Sequence, residues 1–200
     1  MAQRARLSAD DWVTAALDVL VSDGIGAVKV LPLAKRLGVT RGSFYWHFEN
    51  HEALLNRLLE VWEETNSGSI IRAATLDGSI VDRYVALMRC WLGMERFDPH
   101  LEVAVRNWGR SNPELWQKLR ATDERRVDAC VQMLAAEVSD PVMRLHRART
   151  IYFLQMGWYE LEVNEPMDAR IEALTYYFDI YVGRPPTDDE RAAILAGLRI

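Results

Sequence analysis

The sequence predicts an all-α protein, and three observations support this fold class. Apolar residues recur every three or four positions along most of the chain, which is the spacing of one face of a helix. Asn112-Pro113 and Asp140-Pro141 each place a capping side chain before a proline, as is typical of the first turn of a helix. No segment shows the alternation of apolar and polar residues that predicts a strand.

The composition is that of a globular chain without a disulfide framework or a membrane span. Half of the 200 residues are hydrophobic and 26% are charged, which is an ordinary balance for a folded domain. Only Cys90 and Cys130 are present, too few for a set of structural disulfides. No leader-like pattern opens the chain and no apolar run approaches membrane-spanning length. We therefore expect a cytoplasmic protein with no membrane partner.

The first two predicted helices lie within residues 8–38. Ser8 begins the first helix, and Asp11 three residues later completes an aspartate form of the capping box. Gly24 ends that helix. The second helix begins near Val30 and stops at Gly38, because glycine readily takes the left-handed conformation that follows a helix.

The third predicted helix follows a tight turn and has an unusual surface. Val39 fills the turn and Thr40 is a good N-cap, so the helix should begin at Arg41. A short helix with many hydrogen-bonding side chains fits the major groove of B-DNA, where it can contact base edges and phosphates. The side chains of this kind are Arg41, Ser43, Tyr45, Trp46 and His47.

The remainder of the chain predicts seven further helical segments. Asn50 caps the first of them, and Thr187 caps the last. Breaks are expected at residues 66–68 and 77–78, where glycine, serine, asparagine and aspartate cluster. The predicted segments are 51–65, 79–97, 99–109, 113–138, 141–164, 168–182 and 188–198.

The stretch from Leu33 to Leu55 carries a family resemblance. It reads L-A-K-R-L-G-V-T-R-G-S-F-Y-W-H-F-E-N-H-E-A-L-L and is similar to the helix-turn-helix of the TetR family of bacterial transcriptional regulators. The motif-level similarity covers residues 7–59, about a quarter of the chain. It implies an N-terminal three-helix helix-turn-helix DNA-binding domain, residues 1–50. A larger C-terminal helical ligand-binding and dimerisation domain, residues 51–200, would follow.

The resemblance, together with the polar third helix, predicts the DNA contacts. Arg41 and Ser43 are expected near base edges, and Tyr45 and His47 on phosphates. Two positions depart from the family pattern, since Lys29 replaces the usual capping serine or threonine and His51 replaces the usual lysine. The predicted DNA-binding residues are Lys29, Thr40, Arg41, Gly42, Ser43, Tyr45, Trp46, His47 and His51.

The distribution of charge agrees modestly with this interpretation. The whole chain has a net charge of −5, but residues 1–47 contain six basic and four acidic residues, which leaves −7 for residues 48–200. Positive charge therefore accompanies the helix-turn-helix, as DNA binding requires. A basic arm with Arg4 and Arg6 precedes it. We favour a disordered terminus in the free protein, and the alternative is an arm that reaches the DNA backbone or minor groove.

The resemblance also implies an effector cavity in the C-terminal domain. The helices after residue 60 are rich in aromatic and methionine side chains, most of which we expect to form an ordinary core. Arg106 and Asn107 are the candidate polar contacts, although a salt bridge or a cap near Gly109 would account for them equally. The candidate effector-binding residues are Trp62, Tyr84, Met88, Trp91, Arg106, Asn107 and Trp108.

The last two long helices are the predicted dimer interface. Helix 141–164 has apolar residues on two sides, and helix 168–182 has a stripe of its own, so a second apolar partner is expected. The resemblance implies that these helices pair about a two-fold axis in a homodimer. The interface residues predicted from these stripes are Leu154, Trp158, Leu161, Leu174, Phe178 and Tyr181.

The implied function is that of a sequence-specific DNA-binding regulator, a repressor on a near-palindromic double-stranded operator, released by a small-molecule effector of unknown identity. One alternative is a TetR-like protein-interaction module without specific DNA binding, which the weak positive charge and His51 would support. A helical-bundle enzyme is the other. The four histidines are scattered and both cysteines lie on apolar stripes. We therefore predict no catalytic residue, no metal and no cofactor.

Overall fold

A computed structural model describes residues 7–199, and within that range all regular structure is helical. The all-α fold class is thereby confirmed. The basic arm with Arg4 and Arg6 lies outside the described residues. The helices are α1 (Ala9–Asp23), α2 (Val30–Arg36), α3 (Arg41–Phe44), α4 (His51–Trp62), α5 (Gly68–Ala74), α6 (Ile80–Trp91), α7 (Pro99–Arg110), α8 (Pro113–Met133), α9 (Pro141–Glu160), α10 (Met167–Val182) and α11 (Asp188–Leu198).

The chain forms two compact units. The first contains the described residues up to Glu64 together with His100–Trp116. The second contains Thr65–Pro99 and Gln117–Ile200, described as far as residue 199. These units are defined by packing alone. The predicted domains 1–50 and 51–200 were defined by DNA binding and by ligand binding with dimerisation, and this division stays a prediction.

The first unit begins with the predicted capping box. Ser8 Oγ accepts from the backbone N–H of Asp11 at 3.2 Å, and Asp11 accepts in return from the backbone N–H of Ser8 at 2.7 Å. These hydrogen bonds hold the pKa of the Asp11 carboxyl below its usual range. The helix ends at Gly24, which has a φ of 78°. A 3-10 turn, Ile25–Ala27, which the sequence did not predict, leads to α2.

Aromatic side chains form the core of the helix-turn-helix. Trp12 and Phe44 are fully buried and meet edge to face with ring centroids 5.2 Å apart. Phe48 stacks on Phe44 at 5.3 Å. Such contacts hold α3 firmly although it is only four residues long. The turn before it contains Gly38 at a φ of 68°, as predicted.

The second unit is built around α6 and the three last helices. Tyr84 on α6 is fully buried, meets Phe178 of α10 edge to face at 5.2 Å, and donates its hydroxyl hydrogen to the Leu174 carbonyl at 2.6 Å. Ile194 and Leu198 of α11 are also fully buried in this core. The predicted caps at Asp140 and Thr187 are confirmed, since each side chain accepts from backbone N–H groups of the following helix.

Several predicted helix boundaries were wrong, and the helices predicted to reach residues 138 and 164 end at Met133 and Glu160. No break separates α4 from α5 at residues 66–68, because a π-helical segment, Glu63–Ser67, carries the chain from one to the other. The helix predicted to reach residue 97 stops at Trp91 instead, because Gly93 takes a φ of 73° and the chain turns there. In the described part of the chain, no helix is long and apolar enough to span a membrane.

Candidate functional site

The segment from Arg41 to Phe48 presents one buried and one exposed set of aromatic side chains. Phe44 and Phe48 are buried, whereas Trp46 is 82% exposed and Tyr45 is 50% exposed. Backbone hydrogen bonds from the N–H groups of His47 and Phe48 to the Phe44 carbonyl, at 2.9 and 3.0 Å, continue the helical turn beyond α3. An anchored segment that exposes large side chains provides a rigid surface for a partner.

Arg41 and Tyr45 form a pair on this exposed surface. Arg41 Nη2 donates to the Tyr45 hydroxyl oxygen at 3.2 Å, and the guanidinium carbon lies 5.9 Å from the centroid of the ring. The phenol holds the arginine in one orientation without neutralising its charge. A guanidinium so placed can donate to a guanine edge or to a phosphate.

The other residues of the predicted DNA-binding set surround this pair. Thr40 and Lys29 occupy the N-cap positions of α3 and α2, both are exposed, and neither side chain makes a capping hydrogen bond. Gly42 is exposed, and Ser43 and His47 are half-buried. The predicted set thus lies on α3, the turn after it and the start of α2, with the exception of His51.

His51 makes an internal contact that the sequence analysis did not predict. Its Nε2 atom lies 2.8 Å from the Val28 carbonyl oxygen and donates to it, which ties the first residue of α4 to the residue before Lys29. The ring is half-buried. A phosphate contact by His51 would therefore have to use Nδ1, while Nε2 fixes the geometry of the helix-turn-helix.

Two candidate effector residues on α4 and α7 hydrogen-bond to a carboxylate that the sequence analysis missed. Glu102 is 1% exposed, and its Oε2 accepts from Trp62 Nε1 at 2.8 Å. Its Oε1 accepts from Arg106, four residues later, at 2.8 and 2.9 Å. Arg106 therefore forms a salt bridge, which was one of the alternatives left open for it. The i,i+4 spacing of a glutamate and an arginine was the available signal.

The remaining candidate effector residues are divided between the two units. Asn107 is exposed and Trp108 is buried, both on α7 in the first unit. Tyr84, Met88 and Trp91 are buried in the core of the second unit. Burial raises the pKa of the Tyr84 hydroxyl well above its usual range, and that hydroxyl already donates to a backbone carbonyl.

A cleft opens on the surface of the second unit. Its volume is about 590 Å³, and it is lined by one face each of α5, α6 and α11 together with Glu95 and Arg96 from the turn after α6. None of the predicted effector residues lines this cleft. No pattern in the sequence predicts this cleft, because residues 188–198 indicate only a terminal helix.

The predicted interface residues include three that are not available to a partner. Leu174, Phe178 and Tyr181 are all less than 8% exposed because they pack into the core of their own chain. Leu154 and Leu161 are exposed, and Trp158 is half-buried with the Arg170 guanidinium 5.0 Å from its ring centroid. Other large apolar residues on α9 and α10 are exposed and were not predicted, namely Phe153, Met167, Tyr176 and Ile180.

The described residues contain no cluster of three or more side chains able to hold a metal ion. Both cysteines are buried, and burial raises the pKa of Cys90 to about 11 and that of Cys130 to about 12. Thiols with such high pKa values stay protonated near neutral pH, so neither cysteine has the character of a nucleophile.

Comparisons with known proteins find similarity over part of the chain. A family model for bacterial regulatory proteins of the tetR family matches residues 13–58. The tetracycline repressor protein class A from transposon 1721 of Escherichia coli is 39% identical over 69 residues, which are 34% of this chain and 32% of that protein. The HTH-type transcriptional regulator AcrR of Shigella flexneri is 33% identical over 70 residues, 34% of this chain and 31% of that protein. The matches thus span about a quarter to a third of the length of these curated relatives.

The similarity of fold extends further than the similarity of sequence. The crystal structure of a transcriptional regulator from Rhodococcus sp. Rha1 matches with a TM-score of 0.65 at 20% identity, over 88% of this chain and 95% of that one. A Rhodococcus protein assigned to the TetR family of transcriptional regulators matches with a TM-score of 0.54, also at 20% identity, over 95% and 96% of the two chains. At 20% identity, the structural similarity supports only a shared helical fold.

Proposed function

We propose that this chain, which belongs to the TetR family through its N-terminal region, is a regulator of transcription that binds double-stranded DNA. One observation carries the proposal. Arg41, Tyr45 and Trp46 are exposed together on a short segment that Phe44 and Phe48 anchor to the core. This arrangement presents polar and aromatic groups at the position where a recognition helix enters the major groove.

Each exposed group has a role in the proposed complex. The Arg41 guanidinium, oriented by Tyr45, reads a base edge, and Ser43 lies beside it. Lys29, Thr40, Tyr45 and His47 contact phosphates and set the position of the segment on the duplex. Trp46 adds an apolar contact, for which the methyl group of thymine is a suitable partner.

The proposed regulator is a repressor released by a small molecule. Four of the curated relatives are named as tetracycline repressors, which supports repression as the mode of action. A ligand that binds one arrangement of the protein more tightly than another lowers DNA affinity by that difference. We assign DNA binding to residues 1–50 and effector binding and dimerisation to residues 51–200.

We further propose that the regulator is a homodimer that pairs through α9 and α10 and binds a near-palindromic operator. Both helices carry exposed apolar side chains, Phe153 and Leu154 on α9 and Tyr176 and Ile180 on α10. Helix α9 is basic in its first half, with Arg144, Arg147 and Arg149, and Glu160 and Glu162 lie near its end. Two antiparallel copies would bring opposite charges together.

A binding assay tests the proposed function. Fluorescently labelled duplexes from the region upstream of the gene, and duplexes selected from a random pool, would be titrated with protein at 50 and 200 mM salt. We expect selection of a two-fold symmetric sequence and a log–log salt slope of about −0.9 for each phosphate neutralised. Failure to enrich any sequence, with no salt-dependent binding, would instead favour a protein-interaction module.

A further inference from the structure

The cleft on the second unit is framed by three helices, each of which contributes one stripe of residues. Helix α5 supplies Ser69, Arg72 and Ala73, and α11 supplies Ala193 and Gly197 at the i,i+4 spacing of one helix face. Helix α6 supplies the face that carries Val85, Ala86 and Arg89. The opposite face of α6, with Tyr84 and Met88, is buried in the core. The cleft is therefore separate from every residue predicted to bind the effector.

Close contacts hold the walls of the cleft in place. A Cβ atom at Gly197 would lie only 2.6 Å from Val85 Cγ1, so α11 packs tightly on α6 at this point. Arg89 Nη1 donates to the Gly197 carbonyl at 3.0 Å, and Arg89 Nε donates to Glu95 Oε1 at 3.1 Å. These bonds join α6, the following turn and the end of α11. The cleft is a fixed feature of the packed unit.

The charges in the cleft are not fully compensated. Arg89 is paired with Glu95, and Asp82 accepts from the backbone N–H and the hydroxyl of Ser79 at 2.8 and 2.7 Å. Arg72 donates to Ser69 Oγ at 3.2 Å, which is a neutral group. Within residues 7–199, neither Arg72 nor Arg96 is paired with a carboxylate. Two exposed guanidinium groups therefore border a cleft whose walls include alanine, valine and leucine side chains.

We propose that this cleft binds a small amphipathic anion, a carboxylate carried on an apolar chain or ring. A volume of about 590 Å³ lies within the range of roughly 300–1,000 Å³ that is usual for small-molecule sites. The carboxylate faces Arg72 and Arg96, because a guanidinium binds a carboxylate through two parallel hydrogen bonds. The apolar part lies against Val85, Ala86 and Ala193. The carboxylates of Asp82 and Glu95 in the same cleft favour a monoanion over a phosphate dianion, because like charges repel.

Calorimetric titration with octanoate tests this site without any reference to DNA binding. We expect saturable binding of one octanoate per chain and weaker binding of the neutral analogue octanol. The double variant Arg72→Gln, Arg96→Gln should bind octanoate at least tenfold more weakly. Ala193→Phe, which fills the cleft and removes no charge, should abolish binding. Arg191→Gln, on α11 but outside the lining, is the matched control and should bind as the native chain does.

Three outcomes would overturn the proposal. The first is the absence of saturable octanoate binding to the native chain. The second is unchanged affinity in both the double variant and Ala193→Phe, provided that circular dichroism shows native helix content. The third is equal affinity for octanoate and octanol, which would show that the guanidinium groups do not contribute to binding. A failure of the DNA-binding assay leaves each of these results interpretable, because the cleft lies within the second unit alone.

Discussion

At the scale of single residues, a substitution of Arg41 gives the most direct test of the proposed DNA binding. Its guanidinium is exposed and held by Tyr45 at 3.2 Å. If it reads a guanine, Arg41→Ala should weaken operator binding by about 1–3 kcal/mol and relax the preference at one position of each half-site. Fluorescence anisotropy with the selected operator and with single-base variants of it measures both effects.

A matched control separates base readout from the general effect of lost charge. Arg120 is an exposed arginine on α8, far along the chain from the recognition segment, and Arg120→Ala should leave operator affinity within about twofold. Equal losses in both variants, or no loss in Arg41→Ala, would mean that Arg41 does not read a base.

The buried carboxylate of Glu102 gives a second prediction at this scale. It accepts from Trp62 and Arg106 and is 1% exposed, so Glu102→Gln keeps the shape but removes the charge. We expect a loss of about 1–3 kcal/mol in the free energy of unfolding, because Trp62 and Arg106 then donate to a neutral amide instead of a buried carboxylate. Urea unfolding of the native and variant proteins measures this change in the free energy of unfolding. Glu124→Gln, at an exposed position of α8, is the control and should change stability by less than about 0.5 kcal/mol.

Individual site residues were harder to predict from the sequence than the surface that carries them. The order of residues in L-G-V-T-R-G-S-F-Y-W-H-F predicted one short helix that carries Arg41 to His47. In the structure α3 ends at Phe44, and Tyr45 and Trp46 are exposed in the turn after it. The contact of His51 with the Val28 carbonyl joins residues 23 positions apart. The contact of Trp62 with Glu102 spans 40 positions. Helical periodicity carries no information at such separations.

At the scale of secondary-structure elements, the turn before α3 depends on Gly38. Its φ of 68° lies in the left-handed region, and no atom lies within 4 Å of the position of an added Cβ. Gly38→Ala should therefore cost only backbone strain, about 1 kcal/mol in the free energy of unfolding. Gly26→Ala is a matched control, because Gly26 also has open space around it but no positive φ. Equal effects of the two substitutions on thermal unfolding would contradict the assignment of strain to Gly38.

Helix α11 should be stabilised in a pH-dependent way by Arg184 and Glu190. Two parallel hydrogen bonds of 2.7 and 2.8 Å from Arg184 lower the pKa of the Glu190 carboxyl from 4.5 to about 2. The stabilisation is therefore complete above pH 4.5 and is lost as the pH falls towards 2. Glu190→Gln can keep the capping box with Thr187 and removes only the charge. It should cost about 1 kcal/mol at pH 7 and progressively less below pH 4.5.

Urea unfolding at pH 7, 4.5 and 3 measures this dependence. Asp188→Asn, on the same helix and exposed, is the control for a general loss of acidic charge near the start of α11. A difference between native and Glu190→Gln proteins that stays constant from pH 7 to pH 3 would show that the ion pair contributes nothing.

Elements that begin with a local cap were predicted well from the sequence, and elements that continue or end without one were not. The capping boxes at Ser8 and Thr187 and the aspartate cap at Asp140 lie where the sequence indicated, because a cap is formed by residues two or three positions apart. The π-helical segment between α4 and α5 was missed, because Asn66 and Ser67 are buried there and tertiary packing outweighs their low helix propensity. The available signal for the end of α6 was Gly93, since glycine commonly follows the last turn of a helix.

At the scale of the whole molecule, the sequence indicated two apolar sides on helix 141–164 and one apolar stripe on helix 168–182, but not which residues face outward. A stripe that fills the core and a stripe that meets a partner have the same period and composition. In the structure, Leu174 and Phe178 point into the second unit, whereas Tyr176 is 62% and Ile180 is 54% exposed. Only the folded chain distinguishes them, because the choice depends on how α6 and α11 pack against α10.

The last prediction concerns assembly and follows from this correction. If the exposed apolar face of α9 and α10 is the dimer interface, Leu154→Glu and Ile180→Glu should each place an unpaired carboxylate in it and shift the protein from dimer to monomer. Both residues are exposed in the single chain, so the helix content should not change. Val21→Glu, at a 39% exposed apolar residue of α1, is the matched control and should remain dimeric.

Light scattering at micromolar concentration measures the mass of each variant, and operator titrations measure its DNA affinity. Loss of the dimer should lower operator affinity, because one recognition segment alone makes half of the contacts. A native protein that is monomeric at these concentrations would contradict the proposed homodimer. A dimer that persists in both glutamate variants would place the interface on another surface.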